Sequence, residues 1–290
     1  MKLSVCLISL FLVLPVVEVV GDDHGEVVID DYGREISLQS IPQRIVSIAP
    51  SVTEIIFAIG AGDKLVGVDS ESDFPAEVKD IQKVGRYISP SLELIVVLKP
   101  DLLVVSDLTP MQVVSAIEEK GIKVFVVAPE RIEGIAESMR KLGAVLGVKD
   151  KAEAAARDFE ERVAAVEEKA ALAKEKPEVY LEFFPYWTFG PGSFGSDLIE
   201  KAGGLNIGKK LKSPYAEVSN EFVISENPDI IIITQGKHAS TTISSVKGRP
   251  GWSSIGAVRN SRLYYIDDDI ISRPGPRMAD ALEELYSILH

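Results

Sequence analysis

Short apolar runs rich in β-branched residues alternate along the chain with stretches of helical character. The apolar runs predict buried strands at 44–50, 65–68, 101–106, 123–128, 178–184, 229–234 and 262–267. The intervening stretches predict helices at 51–62, 90–98, 110–120, 132–146, 195–204 and 276–290. Strands that alternate with helices in this way predict a parallel sheet covered by helices on both faces.

Local patterns mark the beginning of the folded part of the chain. Residues 26–38 alternate around "DYGR", which predicts a hairpin. In the first helix, Ser51 and Glu54 have the spacing of a capping box, and Gly60 and Gly62 are expected to close it.

The segment 151–176 differs from the rest because it contains no glycine and no proline. Its apolar residues recur at steps of three and four, which predicts one long helix of roughly 38 Å that Pro177 ends. The alternation of strands and helices then restarts. We therefore predict an α/β protein of two Rossmann-like lobes joined by a single long helix. Its parts are an N-terminal lobe over 22–147, a linking helix over 148–176 and a C-terminal lobe over 177–290.

A similar phrase occurs once in each lobe, as "LELIVVLKPDLLVV" at 92–105 and "NEFVISENPDIIII" at 220–233. In both copies a glutamate, Glu93 or Glu221, stands seven residues before a Pro-Asp pair and an apolar run. Such spacing predicts a structural unit used twice. An early glutamate stabilises the positive end of a helix by ~0.3–1 kcal/mol, so helix capping alone would account for both residues.

The first 21 residues have the features of an export signal: Lys2 precedes an apolar stretch of 15 residues, "LSVCLISLFLVLPVV". This stretch is short for a membrane span. The single cysteine, Cys6, lies inside it, so the mature chain would carry no disulfide and no cysteine metal site. We expect an exported protein, periplasmic or at the cell surface, with tethering by an uncleaved signal as an alternative.

Composition and motifs exclude several functions. The net charge of -13 over 290 residues disfavours nucleic acid and anionic lipid as partners. The three histidines, His24, His238 and His290, have no metal-ligand spacing. No nucleophile elbow, phosphate loop or zinc-protease motif occurs. We therefore expect no catalytic residues, no metal site and no resident cofactor.

The loops that follow predicted strands contain the candidate ligand-binding residues. In open α/β sheets, ligands bind beyond the carboxyl ends of the strands. Aromatic side chains with a few charged groups suit a large, partly planar and partly charged small molecule. The candidates are Arg86, Tyr87, Tyr186, Trp187, Phe189, Tyr215, Asp269 and Arg273.

Four stretches together resemble the substrate-binding proteins of ABC importers for corrinoids, ferric siderophores and haem. They are "RIVSIAPSVTEIIFAIGAGDKLVGVDSESDFP", "PSLELIVVLKPDLLVV", "DLIEKAGGLNI" and "RPGPRMADALEEL", and the similarity covers about residues 40–290. The resemblance implies a helical-backbone periplasmic binding protein, monomeric, with a metal chelate held between its lobes. It also implies that Glu93 and Glu221 dock onto arginines of a two-fold permease that works with an ATPase.

Four positions resemble the cobalamin-binding members in particular. Tyr87 and Tyr215 match aromatic residues that precede the two docking glutamates, and Asp269 and Arg273 match an Asp and an Arg four residues apart. The resemblance therefore implies a corrinoid ligand.

Three positions depart from that pattern. Glu71 and Ser106 stand where the cobalamin-binding members have aromatic residues, and Arg86 adds a charge. These departures leave a ferric siderophore that carries carboxylates, or haem, as alternatives. A chelatase-like extracytoplasmic enzyme is a further alternative, which the low histidine count disfavours.

Overall fold

The structure is a computed structural model that describes residues 26–237 and 240–290. The predicted signal segment 1–21 with Cys6, together with His24 and His238, lies outside the described residues. The strands are β1 Glu26–Ile29, β2 Glu35–Leu38, β3 Ile45–Ile48, β4 Leu65–Val68, β5 Gly85–Arg86, β6 Ser89–Pro90, β7 Leu102–Ser106, β8 Lys123–Val127, β9 Glu178–Phe184, β10 Trp187–Phe189, β11 Leu205–Asn206, β12 Tyr215–Glu217, β13 Ile230–Gln235 and β14 Leu263–Asp267. The α-helices are α1 Pro50–Ala58, α2 Leu92–Leu98, α3 Met111–Glu118, α4 Ile132–Val145, α5 Lys149–Leu172, α6 Phe194–Lys201, α7 Asn220–Glu226, α8 Ile243–Lys247, α9 Gly256–Arg259, α10 Asp268–Ser272 and α11 Met278–Leu289.

The first lobe is built on a parallel sheet with strand order β4-β3-β7-β8. Alternate residues of β7 enter two separate cores, because successive side chains of a strand point to opposite faces. Leu102 and Val104 join the core under α1 and α4, whereas Leu103 and Val105 join the core that includes Ile95 of α2 and Val114 of α3. Both faces of this sheet are thus covered by helices.

The second lobe is built on a mixed sheet with strand order β12-β10-β9-β13-β14, to which β11 adds beside β9. The strands β9, β13 and β14 run parallel, as the alternation predicts. The edge strand β12 and its neighbour β10 run antiparallel to the strands beside them and were not predicted. They make the aromatic segment Trp187–Phe189 part of the sheet.

The linking helix α5 connects the two lobes. Its apolar stripe, including Phe159, Val163 and Val166, is buried in a core that both lobes share. The helix spans 24 residues, which corresponds to about 36 Å. It ends at Leu172 rather than at Pro177, since Ala173 already has an extended conformation. The predicted fold class of two α/β lobes joined by one long helix is confirmed.

The phrase that occurs in both lobes forms the same helix twice. Ser91 caps α2 by accepting a hydrogen bond from a backbone N–H three residues on, and Ser219 caps α7 in the same way. Both helices then end in a left-handed residue, Lys99 at φ 47° and Asn227 at φ 48°.

The aspartates that follow these helices also have equivalent roles. Asp101 Oδ2 accepts hydrogen bonds from the backbone N–H groups of Gln43 and Arg44, at 2.8 and 2.9 Å, just before β3. Asp229 Oδ2 accepts one from the N–H of Glu178 at 2.9 Å, at the start of β9. Each aspartate thus ties the end of its unit to the start of a neighbouring strand.

The predicted capping box of Ser51 and Glu54 is wrong. The helix α1 begins at Pro50, Ala49 occupies the N-cap position, and no side chain caps the helix. Glu54 lies within the helix with a side chain that is only 2% exposed, and it bonds two arginines of the second lobe instead. Within the described ranges, no helix is long and apolar enough to cross a membrane.

Candidate ligand-binding cleft

A cavity of about 350 Å³ lies between the two lobes. The first lobe contributes loops that follow β3, β4 and β7 and the short β5–β6 hairpin, and the second lobe contributes α10 and the residues after it. From the first lobe the lining residues are Ala49, Pro50, Ser51, Glu71, Arg86, Tyr87, Ser106, Asp107 and Leu108. From the second lobe they are Asp268, Asp269, Ser272, Arg273 and Pro274. The cavity therefore lies where the carboxyl ends of the first lobe's parallel strands face the second lobe.

Arg273 is the most highly connected charged residue of the cavity lining. Its guanidinium lies 3.2 Å from Glu54, 2.8 Å from Asp73 and 2.7 Å from Asp269. Its side chain is only 13% exposed. Burial alone would lower the pKa of Arg273, but the hydrogen bond to Asp73 and the surrounding carboxylates outweigh it and raise the pKa. Arg273 thus remains charged while it connects the two lobes.

Arg277, four residues further along the chain, supports the same contact. Its Nε and Nη2 donate to the two carboxylate oxygens of Glu54 at 2.9 and 2.7 Å. The guanidinium carbon also stacks 4.4 Å from the centre of the Phe74 ring. Arg277 does not line the cavity, so its contacts position Glu54 and the interface behind the cleft.

Arg86 and Glu71 face each other at the first-lobe side of the cavity. Arg86 Nε lies 3.6 Å from Glu71 Oε1, and the arginine side chain is 60% exposed. An exposed pair of this kind is worth about 0–1 kcal/mol. The charge of Arg86 is therefore partly offset by Glu71, which stands at a position where the resemblance implied an aromatic residue. Tyr87, the next residue, packs partly buried against the core of the first lobe.

Asp107 also lines the cleft, although it was not among the candidate residues predicted from the sequence. It follows directly after β7, at the carboxyl end of a buried strand. Partial burial among the cleft walls raises its pKa, although backbone N–H groups of Asp107 and Leu108 oppose the shift. The sequence signal that selected the other loops, a polar residue just after a strand, could also have selected Asp107.

The second-lobe aromatics Trp187, Phe189 and Tyr215 gather around Phe183. The ring of Phe183 lies 4.7 Å from Phe189, 6.0 Å from Tyr215 and 6.4 Å from Trp187, measured between ring centres. Phe189 and Tyr215 are also direct cross-strand neighbours. Neither Trp187 nor Tyr215 is among the residues that line the cavity, and Phe189 is buried in the core.

Tyr215 extends from this cluster towards the first lobe. Its side chain is 49% exposed. Burial raises the pKa of the Tyr215 phenol, and the charge of Asp107 raises it further. The hydroxyl group of the second lobe and the carboxylate of the first therefore lie within electrostatic reach of each other.

Tyr186 is directed to the other face of the sheet, away from the cavity. Its ring makes an edge contact with Trp252, at 6.4 Å between centres, and the Arg249 guanidinium lies 4.2 Å above it. Arg249 in turn forms two hydrogen bonds of 2.7 Å with the buried Glu182. Tyr186 has a positive φ of 65°, and this turn sends Tyr186 and Trp187 in different directions. Tyr186 therefore packs in the core rather than at the ligand face.

Glu93 and Glu221 occupy equivalent positions in the first turns of α2 and α7, and both are exposed. Within the described part of the chain, neither carboxylate has an ion-pair or hydrogen-bond partner. Each is therefore available to a partner protein.

The polar groups that line the cleft are suited to binding a ligand. They are carboxylates, guanidinium groups and serine hydroxyls, and the histidine that the structure describes, His290, bonds to Ala202 in the C-terminal region. No three His, Cys, Asp or Glu residues in the described ranges are grouped as ligands for a metal.

Comparison with known proteins agrees with the geometry of a ligand-binding cleft. Residues 45–270, more than half of the chain, match the family described as "Periplasmic binding protein". An uncharacterized ABC transporter substrate-binding lipoprotein of Bacillus subtilis, YvrC, is 31% identical over 274 residues, which cover 91% of this chain and 85% of that protein. The vitamin B12-binding protein of Vibrio parahaemolyticus is 30% identical over 246 residues, which cover 84% of this chain and 88% of that protein.

A solved structure supports the fold. The periplasmic heme-binding protein RhuT from Roseiflexus sp. RS-1, in apo form, aligns with a TM-score of 0.77 and 26% identity, over 86% of this chain and 99% of that one. Since the family match spans most of the two lobes and their linking helix, the chain belongs to the periplasmic binding protein family.

Proposed function

We propose that this protein captures a corrinoid outside the cytoplasm and delivers it to an ABC importer. The observation that carries the proposal is the cavity between the two lobes, to which loops of both lobes contribute charged and polar groups. The similarity to a vitamin B12-binding protein supports a corrinoid as the ligand. In this proposal the protein binds and releases its ligand without making or breaking a bond.

The ligand would rest between Arg86 and Tyr87 of the first lobe, Asp269 and Arg273 of the second, and the aromatic border of Trp187 and Tyr215. A cavity of about 350 Å³ is at the small end of ligand pockets, so a molecule as large as a corrin would be held by one edge and would protrude. The aromatic border would then contact the protruding apolar part.

Delivery would use Glu93 and Glu221 as the contacts to a two-fold permease and its ATPase. One exposed ion pair contributes only about 0–1 kcal/mol. Two such pairs at equivalent positions of two lobes fix orientation more than they increase affinity. The long helix α5 and the shared core permit only a small movement between the lobes. We further propose that the protein acts as a monomer and is exported, and that an uncleaved signal could tether it.

A ferric siderophore or haem is the second candidate ligand class, and the similarity to a heme-binding protein favours it. The deciding experiment is calorimetric titration with visible absorbance of the mature protein against cyanocobalamin, haemin, a ferric hydroxamate and a ferric catecholate. Tight one-to-one binding of cyanocobalamin supports the corrinoid proposal. Binding of one of the other three in its place would assign the protein to the second class, and absence of binding to all four would overturn both.

A further inference from the structure

The cleft contains more carboxylates than cations. Its described lining includes the carboxylates Glu71, Asp107, Asp268 and Asp269 and the guanidinium groups Arg86 and Arg273. Glu54 and Asp73 add two more carboxylates behind Arg273. A ligand that enters this cavity therefore meets an excess of negative charge.

Both guanidinium groups of the cleft already have carboxylate partners. Arg273 contacts three of them within 3.2 Å, and its side chain is largely buried. Arg86 lies beside Glu71. A carboxylate of a ligand would have to displace partners of Arg273, and at Arg86 it would lie beside the charge of Glu71. The extra charge of Arg86 therefore does not make the cleft a receptor for anions.

Asp107 is a carboxylate of the cleft that has no cation beside it among the described residues. Nearby backbone N–H groups of Asp107 and Leu108 lower its pKa, and its side chain is exposed to the cavity. The group that approaches it from the second lobe is the neutral phenol of Tyr215. Asp107 thus offers an open acceptor to whatever fills the space between the lobes.

We propose that the cleft takes chelates whose protein-facing arms are carboxamides or ammonium groups, and that Asp107 discriminates them from chelates bearing carboxylates. This inference rests on the proposed function, because it takes the cavity as the ligand site. A carboxamide N–H donates to Asp107 in a charge-assisted hydrogen bond. A ligand carboxylate has no proton to donate, and its charge is repelled by the carboxylate of Asp107. Specificity then comes from rejection of the wrong ligand as well as from attraction.

The test compares two matched ligand pairs by calorimetry on the full mature chain. The first pair is dicyanocobinamide and dicyanocobyrinic acid, which share the corrin ring and differ in amide or carboxylate arms. The second pair is ferrioxamine B, with its free ammonium group, and its N-succinylated derivative. Each is titrated into the wild type, into Asp107→Asn, and into Glu161→Gln, which makes the same charge change on the exposed side of α5.

We expect the amide or ammonium member to bind at least tenfold more tightly than its carboxylate partner in the wild type. Asp107→Asn should reduce that ratio several-fold or more, and Glu161→Gln should leave it unchanged. Equal binding of both corrins would overturn the inference while the corrinoid function stands. Binding of the ferrioxamine pair alone would overturn the corrinoid function, and the ratio within that pair would then decide the inference. Absence of binding to all four ligands, or an unchanged ratio in Asp107→Asn, would overturn it.

Discussion

Arg273 of the second lobe donates a hydrogen bond of 3.2 Å to Glu54 of the first, across 219 residues of sequence. Glu54 also accepts two bonds from Arg277, so a single buried carboxylate is held by two arginines. The contact lies directly behind the cleft, because Arg273 also lines the cavity. The charged centre of the interface between the lobes and the candidate ligand site therefore share a residue.

Glu54→Gln should destabilise the protein substantially. The substitution leaves two largely buried guanidinium groups with one carboxylate fewer, and breaking a buried pair in this way costs about 3 kcal/mol. The free energy of unfolding, measured by urea titration, checks the expectation. Glu283→Gln is the matched control, since Glu283 pairs with Arg162 on the surface and should cost less than about 1 kcal/mol. Equal losses in the two variants would contradict the role assigned to Glu54.

Arg273→Ala and Arg277→Ala separate binding from interface stability. Both variants remove a partner of Glu54 and should lower the free energy of unfolding, Arg273→Ala at least as much because Arg273 also pairs with Asp73 and Asp269. Only Arg273 lines the cavity, so only Arg273→Ala should also weaken ligand binding, by about tenfold or more. Calorimetric titration with the ligand identified for the wild type checks the difference. If both variants bound equally well, Arg273 would be an interface residue and not part of the site.

The sequence was sufficient to predict the order of the main strands and helices, because strand runs and helical stretches are local patterns that burial enforces. The repeated unit of α2 and α7 could equally be predicted, since its serine cap, its left-handed end and its aspartate depend on residues close in sequence. The strands β10 and β12 could not be predicted, because each spans only three residues.

Only part of the site could be predicted from the sequence, for physical reasons that differ between residues. Arg86 and Tyr87 lie at the end of β5, Asp269 and Arg273 lie in and just after the helix that follows β14, and all four line the cavity. Tyr186 also follows a strand, yet its positive φ directs the ring to the other face, and no local pattern specifies that rotation. The partners of Glu54 lie more than 200 residues away, so a local rule assigned it to a cap instead.

We expect the contribution of Asp73 to the stability of the fold to be lost in acid. Burial alone would raise its pKa, but hydrogen bonds from Lys237 and Arg273 outweigh burial and hold the pKa of Asp73 below its ordinary value. A carboxyl group whose folded pKa is lowered stabilises the fold above its unfolded pKa of about 3.9, and this contribution is lost as pH falls through the folded value. Asp73→Asn should therefore lower Tm at pH 7 and make little difference near pH 2. A Tm difference that does not shrink in acid would contradict this linkage.

Asp107 should have the opposite effect on stability, because its ionised form should destabilise the fold. Burial raises its pKa above the ordinary value, so its ionised form destabilises the folded state. The cost is absent below the unfolded pKa of about 3.9, grows as pH rises from there to the folded pKa, and is complete above it. Asp107→Asn should therefore raise Tm slightly at pH 7 and leave it unchanged near pH 3. A lower Tm at pH 7 would show that the carboxylate stabilises the fold and is not held for a ligand.

Glu93→Ala combined with Glu221→Ala should abolish transport while ligand affinity stays intact. Both carboxylates are exposed on the first turns of equivalent helices, and neither lies in the cavity. Each loss should remove one of two contacts to the permease, so the single variants should retain partial transport. Uptake of radiolabelled ligand by cells that express the protein together with its importer measures the effect, and calorimetry checks affinity. The control is Glu161→Ala with Glu168→Ala, which makes the same charge change at exposed positions of α5. Normal uptake by the Glu93 and Glu221 double variant would remove these residues from docking, and the repeat would then be a structural unit only.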